Sequence, residues 1–298
     1  MFPLSPRTKQ SSDYLLPSLI WPMVLQRAMD ATQLPQQIAA DIEKSGFPLE
    51  VTTGLAFTKG SWTVVHQMVY RDLEENKSRA IDVLAIKNLT PTSGPFKQLL
   101  VWALIECKKS DNPWVFYGPT TDSLQDKKRT ISNYLKVASN PPVDIKQGTL
   151  FQNSHYVTRE PLDRLGQAHY MAFIDPKSKS HGVDQIWTAL NQASKAVYFF
   201  QTEITNDVSR KESSGELHVF YPIIVVDGPI FLYSLDQNRR TQVTETQYVK
   251  FNHDVLTPKS DLELFLIDIV AKTFLPTYIQ WLSVEANSMA GLRPVSSS

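Results

Sequence analysis

Asp82, Glu106 and Lys108 are the residues whose types and spacing best suit chemistry. Asp82 sits in the run Arg79-Ala80-Ile81-Asp82-Val83-Leu84-Ala85, and the other two in Leu104-Ile105-Glu106-Cys107-Lys108-Lys109. Charges in such apolar, strand-like runs are costly unless they are paired or bind a metal. Side chains alternate along a strand, so Glu106 and Lys108 share one face and Cys107 takes the other. The connection over residues 88–95, Asn-Leu-Thr-Pro-Thr-Ser-Gly-Pro, is rich in turn formers. An antiparallel hairpin folded about Gly94 sets Asp82 opposite Glu106. Two carboxylates and an ammonium on one patch of sheet make a metal-and-water site.

The elements that must hold this patch are legible as a series. A helix begins at Leu34, with Thr32 as N-cap and Pro35 in its first turn, and carries the stripe Leu34, Ile38, Ile42 before Gly46 ends it. Strands are expected over 62–70, 79–87 and 99–107, a helix over 184–200, and strands over 218–226 and 230–235. The continuous apolar run 219–226 reads as a strand buried on both faces. Residues 110–180 form an insertion, in which Asp122 to Val137 reads as a helix bearing Lys127, Lys128, Arg129 and Lys136. Residues 1–33 read as an N-terminal helical arm, 34–236 as the core, and 237–298 as a helical extension with a helix over 261–289.

Composition bounds the function. A chain of 298 residues, 42% hydrophobic and 20% charged, suits a soluble globular protein with a sizeable core. Zero formal net charge supplies no global field for a polyanion, so any nucleic-acid surface must be local. A single cysteine excludes an internal disulfide framework and a cysteine-rich zinc site, and fits a reducing cytoplasm. Cys107 reads as a core residue behind the site. The stretch Leu262 to Leu282 is interrupted by Glu263, Asp268, Lys272 and Pro276, which reads as a packed amphipathic helix and not a membrane span. The six histidines show no metal-ligand spacing, and His218 reads as a hydrogen-bonded core residue. No phosphate-cradling glycine loop is present.

The acid on one strand, followed on the next by acid-x-Lys (Glu106-Cys107-Lys108), resembles the catalytic core of the PD-(D/E)xK (restriction-endonuclease-like) nuclease superfamily. Ile81 stands where that pattern has proline, a packing position. The resemblance runs from about Leu34 to Asp236 and implies an α/β fold: an αβββαβ core with a mixed central sheet, an insertion after the third strand, and extra N- and C-terminal helices. It implies a Mg²⁺- or Mn²⁺-dependent endonuclease, with DNA favoured over RNA, in restriction, repair or anti-phage defence, and working as a homodimer. Asp82 and Glu106 are hard oxygen ligands suited to Mg²⁺, and the Cys107 backbone carbonyl could complete the set. Lys108 would orient the attacking water or stabilise developing charge. Accessory groups are expected from the first helix (Gln36, Gln37 or Glu43) or from Gln192 and Lys195 on the later one, with Glu50 and Asp72 as outside candidates. Lys109, Lys127, Lys128 and Arg129 could contact phosphates, and Tyr134 could stack on a base. The competing reading is a non-catalytic relative that binds nucleic acid or a protein partner.

Overall fold

A computed structural model describes residues 33–92, 96–117, 136–140, 165–166, 183–207, 215–235, 238–257 and 261–291. Helix α1 (Leu34–Lys44) forms where the four-residue stripe predicts it, yet none of its residues is buried. A second helix, α2 (Phe47–Lys59), follows Gly46, with Pro48 in its first turn and Leu49, Thr53, Gly54 and Phe57 buried. The packing helix before the first strand is therefore α2, in place of the expected Leu34 helix. Residues Ile42 to Ser298 cluster as one unit, separate from Met1–Asp41.

Strands β1 (Thr63–Asp72), β2 (Lys77–Leu89) and β3 (Gln98–Lys109) come next. β1 and β2 pair antiparallel, as do β2 and β3. The second hairpin has the expected register, Leu89 facing Leu99 and Val83 facing Ile105. β4 (Trp114–Tyr117), β5 (Lys136–Asn140) and β6 (Leu165–Gly166) are short. Helix α3 (Val183–Asn206) provides the crossover that a parallel pairing requires, and β7 (Glu216–Asp227) lies parallel to β3. Ten consecutive residues of β7 are buried, as its unbroken apolar run predicts. β8 (Ile230–Leu235), β9 (Thr241–Thr246), β10 (Tyr248–Leu256), β11 (Leu262–Ala271) and α4 (Leu275–Ala290) complete the chain.

The principal sheet runs β1-β2-β3-β7-β11-β10-β6, with β5 also pairing β7. It is mixed: β11 is parallel to β7 and antiparallel to β10. α2 and α4 cover one face, around Phe57, Ile105, Ile223 and Tyr278. α3 covers the other through Leu190, Val197 and Phe200 against Leu104, Phe220 and Ile224. The class is α/β with a mixed central sheet, and four helices occur among the described residues. A smaller sheet, β4-β8-β9, continues from the ends of β3 and β7.

Two expectations are corrected. The segment from residue 237 is not a helical extension, because β9, β10 and β11 precede α4. Leu262–Ala271 is a sheet strand whose internal Asp268 is a buried acceptor for Tyr248, Lys250 and Tyr278. Lys136 and Val137 end no helix: they belong to β5, where Lys136 pairs with Glu263. Residues 1–32 of the expected arm, and Lys127, Lys128, Arg129 and Tyr134, lie outside the described residues. His218 is buried and accepts from the Trp102 indole, as expected. Among the described residues no helix is long and apolar enough to cross a membrane.

Three measurements check this packing. Ile224→Ala, at a site with no exposure, is expected to cost roughly 2–5 kcal/mol in denaturant melts. A Cβ at Gly228 would lie 2.2 Å from the Ser110 carbonyl oxygen, so Gly228→Ala should cost about 1–3 kcal/mol. His253 is buried against Trp187 and Asn191, and burial lowers its pKa to about 4. The unfolded histidine titrates near ~6.5, so the unfolded chain takes a proton that the folded chain refuses between those values. Stability should therefore fall as pH drops from about 6.5 towards 4, and His253→Gln should flatten that slope.

Candidate active site

β3 keeps strict alternation. Ala103, Ile105 and Cys107 pack on the α2/α4 side and Leu104 on the α3 side, so Glu106 and Lys108 face α3. β1 and β2 do not keep it. Val83 and Ala85 pack on the α2/α4 side, whereas Ile81, of the same parity, packs on the α3 side. On β1, Val64 joins the first cluster but Met68 and Tyr70 join the second. Both changes fall between the pairs His66–Val83 and Met68–Ile81, at Gln67 and Asp82. Gln67 has φ 52°, a left-handed backbone that costs a non-glycine residue about 1–2 kcal/mol. The sheet is creased there, and Asp82 sits in the crease.

The crease brings groups from both faces together. The β2–β3 ladder ends at Val83 and Ile105, beyond which the Cys107 N–H donates to the Asp82 carboxylate at 2.7 Å. Gln67 donates to Glu50, on α2, and also hydrogen-bonds Asp82. Lys108 Nζ lies 2.8 Å from Glu106 Oε2 and 3.4 Å from the Gln192 side-chain oxygen on α3. The Tyr70 hydroxyl donates to the Gln192 carbonyl at 3.3 Å.

Charge is not balanced here. Glu106 is only 1% exposed, and its Oε1 has no hydrogen-bond partner among the described residues. Burial pushes its carboxyl up to about 7, with Asp82 and Glu50 adding to the shift and Lys108 opposing it. Burial also raises Asp82, against the Cys107 N–H, Lys108 and Gln67. Glu50 is raised by burial and by Asp82. Three carboxyls thus act on one another, with one ammonium against Glu106, and resist ionisation together. Lys108 moves upward despite its burial, because Glu106 holds its proton. Burial pushes the Cys107 thiol well above its ordinary value, and its Sγ lies 3.7 Å from Thr53 Oγ1, consistent with a core role and not a nucleophile.

The chemistry of this donor set fits a hard divalent cation. The Glu106 oxygen without a partner among the described residues and the Asp82 carboxylate, close enough to raise Glu106, could supply hard oxygen ligands, and the Cys107 carbonyl is the third candidate. Among the described residues, no group of three His, Cys, Asp or Glu side chains is arranged to hold a metal. Two carboxylates and one backbone oxygen are a smaller side-chain set, of the size Mg²⁺ commonly takes with its remaining waters.

Other expected residues are distributed differently. Gln192 reaches the site, but Lys195 pairs with Asp72 at 3.0 Å and Glu74 at 2.8 Å. Asp72 is held down to about 2: burial opposes this, but Lys195, Arg79 and two backbone N–H groups prevail. Gln36 and Gln37 are exposed on α1, in the unit that ends at Asp41. Glu43 is exposed and offers its backbone carbonyl to Lys109 at 2.9 Å. Glu50, one of the two outside candidates, is the helical carboxylate that accepts from Gln67 and is raised by Asp82. Gln67 was not anticipated; no sequence signal marks a left-handed glutamine within an apolar strand.

Gln67→Gly and Gln67→Ala both remove the bridge between Glu50 and Asp82, but only glycine relieves the backbone. The glycine variant is expected to be more stable than the alanine variant by about 1 kcal/mol in paired urea melts. Equal stability would contradict the crease. No family model, curated protein or solved structure matches the chain, so its function has to be argued from these residues themselves.

Proposed function

We propose that this protein is a metal-dependent nuclease that hydrolyses phosphodiester bonds, most readily in DNA. The observation that carries the reading is the buried Glu106 oxygen that has no partner among the described residues and lies within electrostatic reach of Asp82, on a strand whose next inward side chain is Lys108. A buried carboxylate left half-satisfied costs stability and needs a reason. A cation is the simplest one, since it would also offset the clustered Asp82, Glu50 and Glu106 charge. With the short strands β4, β5 and β6 set aside as belonging to the insertion, the element order supports the same reading: α2, three antiparallel strands, α3, then parallel β7. The αβββαβ core of restriction-endonuclease-like proteins has that order.

Asp82, Glu106 and the Cys107 carbonyl would hold Mg²⁺ or Mn²⁺, which when bound supplies charge neutralisation at the phosphate and a more acidic water. The protein's own groups account for the rest. The Cys107 N–H and Gln67 fix the Asp82 carboxylate. Glu106 and Gln192 fix the Lys108 ammonium from two sides. Because Glu106 keeps Lys108 protonated, Lys108 fits the charge-stabilising role better than that of a base. Glu50 is the accessory carboxylate, and Lys109, exposed next to Lys108, is the nearest candidate for a flanking phosphate.

Plasmid nicking in Mg²⁺ or Mn²⁺ against EDTA tests the activity. Asp82→Ala, Glu106→Ala and Lys108→Ala are each expected to lower the rate at least ~100-fold, the scale of losing one electrostatic group. Lys108→Ala should retain a rise in melting temperature on adding Mn²⁺, and Glu106→Ala should lose it. Normal cutting by Lys108→Ala would overturn the catalytic assignment. Absence of cutting with every cation and with duplex DNA, single-stranded DNA and RNA would favour a non-catalytic binding protein.

A further inference from the structure

Lys108 is held by two acceptors, Glu106 on its own strand and the Gln192 side chain on α3. Glu106 is placed by β3, but the Gln192 oxygen is only as well placed as the turn of α3 that carries it. Tyr70, on β1, ties that turn to the sheet: its hydroxyl donates to the Gln192 main-chain carbonyl at 3.3 Å. A helical carbonyl takes the backbone N–H four residues on, here that of Ala196, and has a second lone pair for a hydroxyl. Tyr70 is 2% exposed; its ring packs beside Phe199 and clusters with Ile81, Leu84 and Leu190. A ring enclosed in this way has little freedom, which makes its hydroxyl a fixed point. Burial pushes that hydroxyl well above its ordinary value, and Glu106 adds to the shift, so it keeps its proton at any working pH.

The crease explains why Tyr70 faces α3 at all. Val64 packs on the α2/α4 side, and unbroken alternation would send Tyr70, of the same parity, to that side as well. The left-handed break at Gln67 turns it to the α3 side instead. One backbone irregularity therefore both receives Asp82 and brings a hydroxyl to Gln192. We propose that Tyr70 is a positioning residue: through the Gln192 main chain it fixes the side-chain oxygen that steers the Lys108 ammonium. This rests on the nuclease reading and adds to it a residue that acts through another. Without the hydroxyl, the Gln192 oxygen drifts and Lys108 is left to Glu106 alone. The ammonium then spends less time where charge develops at the phosphate, and small misplacements of such groups are costly in rate.

The test places Tyr70→Phe, which removes only the hydroxyl, in two backgrounds of the full chain. One is wild type; the other is Gln192→Met, which keeps the main-chain carbonyl and similar bulk but loses the side-chain acceptor. In wild type, Tyr70→Phe should lower kcat for plasmid nicking in Mg²⁺ roughly 3- to 10-fold, the scale of one hydrogen bond. KM and the rise in melting temperature on adding Mn²⁺ should not change. In Gln192→Met the same substitution should leave kcat unchanged, because the connection to Lys108 is already cut. Its cost in melting temperature should be equal in both backgrounds, since both contain the hydrogen bond it removes. A fall in kcat that is equal in both backgrounds, or absent from both, overturns the proposal and leaves Tyr70 a role in folding alone. Acetylation of Lys108 by acetic anhydride in EDTA, followed by mass spectrometry of the digested chain, reads the same connection without cutting. Tyr70→Phe should speed it roughly 3-fold in wild type and not at all in Gln192→Met. If the protein cuts nothing in any metal, the nuclease reading fails, and the labelling alone decides whether Tyr70 positions Lys108. Metal-dependent cutting that Tyr70→Phe leaves at the wild-type rate sinks the proposal and keeps the nuclease reading.

Discussion

The site is organised by the burial of Glu106 on β3, with Lys108 two residues on and Asp82 across the strand pair. A carboxylate with 1% exposure among apolar neighbours must be compensated, and the protein compensates only half of it. One oxygen takes the Lys108 ammonium; the other takes nothing among the described residues. Burial and two neighbouring acids then push Glu106 up to about 7. The surrounding features, from the crease at Gln67 to the contact with Gln192, hold groups around that half-satisfied charge.

Two other buried acids show what full compensation looks like. Asp268, on β11, takes hydrogen bonds from Tyr248, Lys250 and Tyr278, using both carboxylate oxygens. Asp72 takes Arg79, Lys195 and the backbone N–H groups of Glu74 and Glu75. Both are structural in character, since their hydrogen-bonding capacity is spent within the fold. Glu106 differs from these two, and so does Asp82, which burial raises in spite of its donors. Clusters of carboxyls raised together in a partly open site are where function is most often found.

Much of this was legible in the sequence, for identifiable reasons. The β2–β3 register followed from turn formers around Gly94, because folding there leaves one way to match the two apolar runs. β7 followed from an unbroken apolar run, and α3 from its spacing. α2 was hidden because Pro48 and Gly54 interrupt its pattern, and the stronger stripe of α1 drew the expected core helix to the wrong place. β11 was hidden because strand and helix are both apolar across residues 262–282, and periodicity alone does not part them. Within the site, Asp82, Glu106, Lys108 and Gln192 were read from their neighbours. Glu50 depended on α2, and Gln67 on a break in alternation that only the folded backbone reveals.

A cation shared by Asp82 and Glu106 is the central claim, and anomalous diffraction from crystals soaked in Mn²⁺ measures it directly. The account expects one strong peak within coordination distance of both carboxylates and of the Cys107 carbonyl, with Lys108 outside the ligand shell. No peak there at saturating Mn²⁺, or a Glu106 side chain turned away from a peak bound only by surface acids, would contradict it.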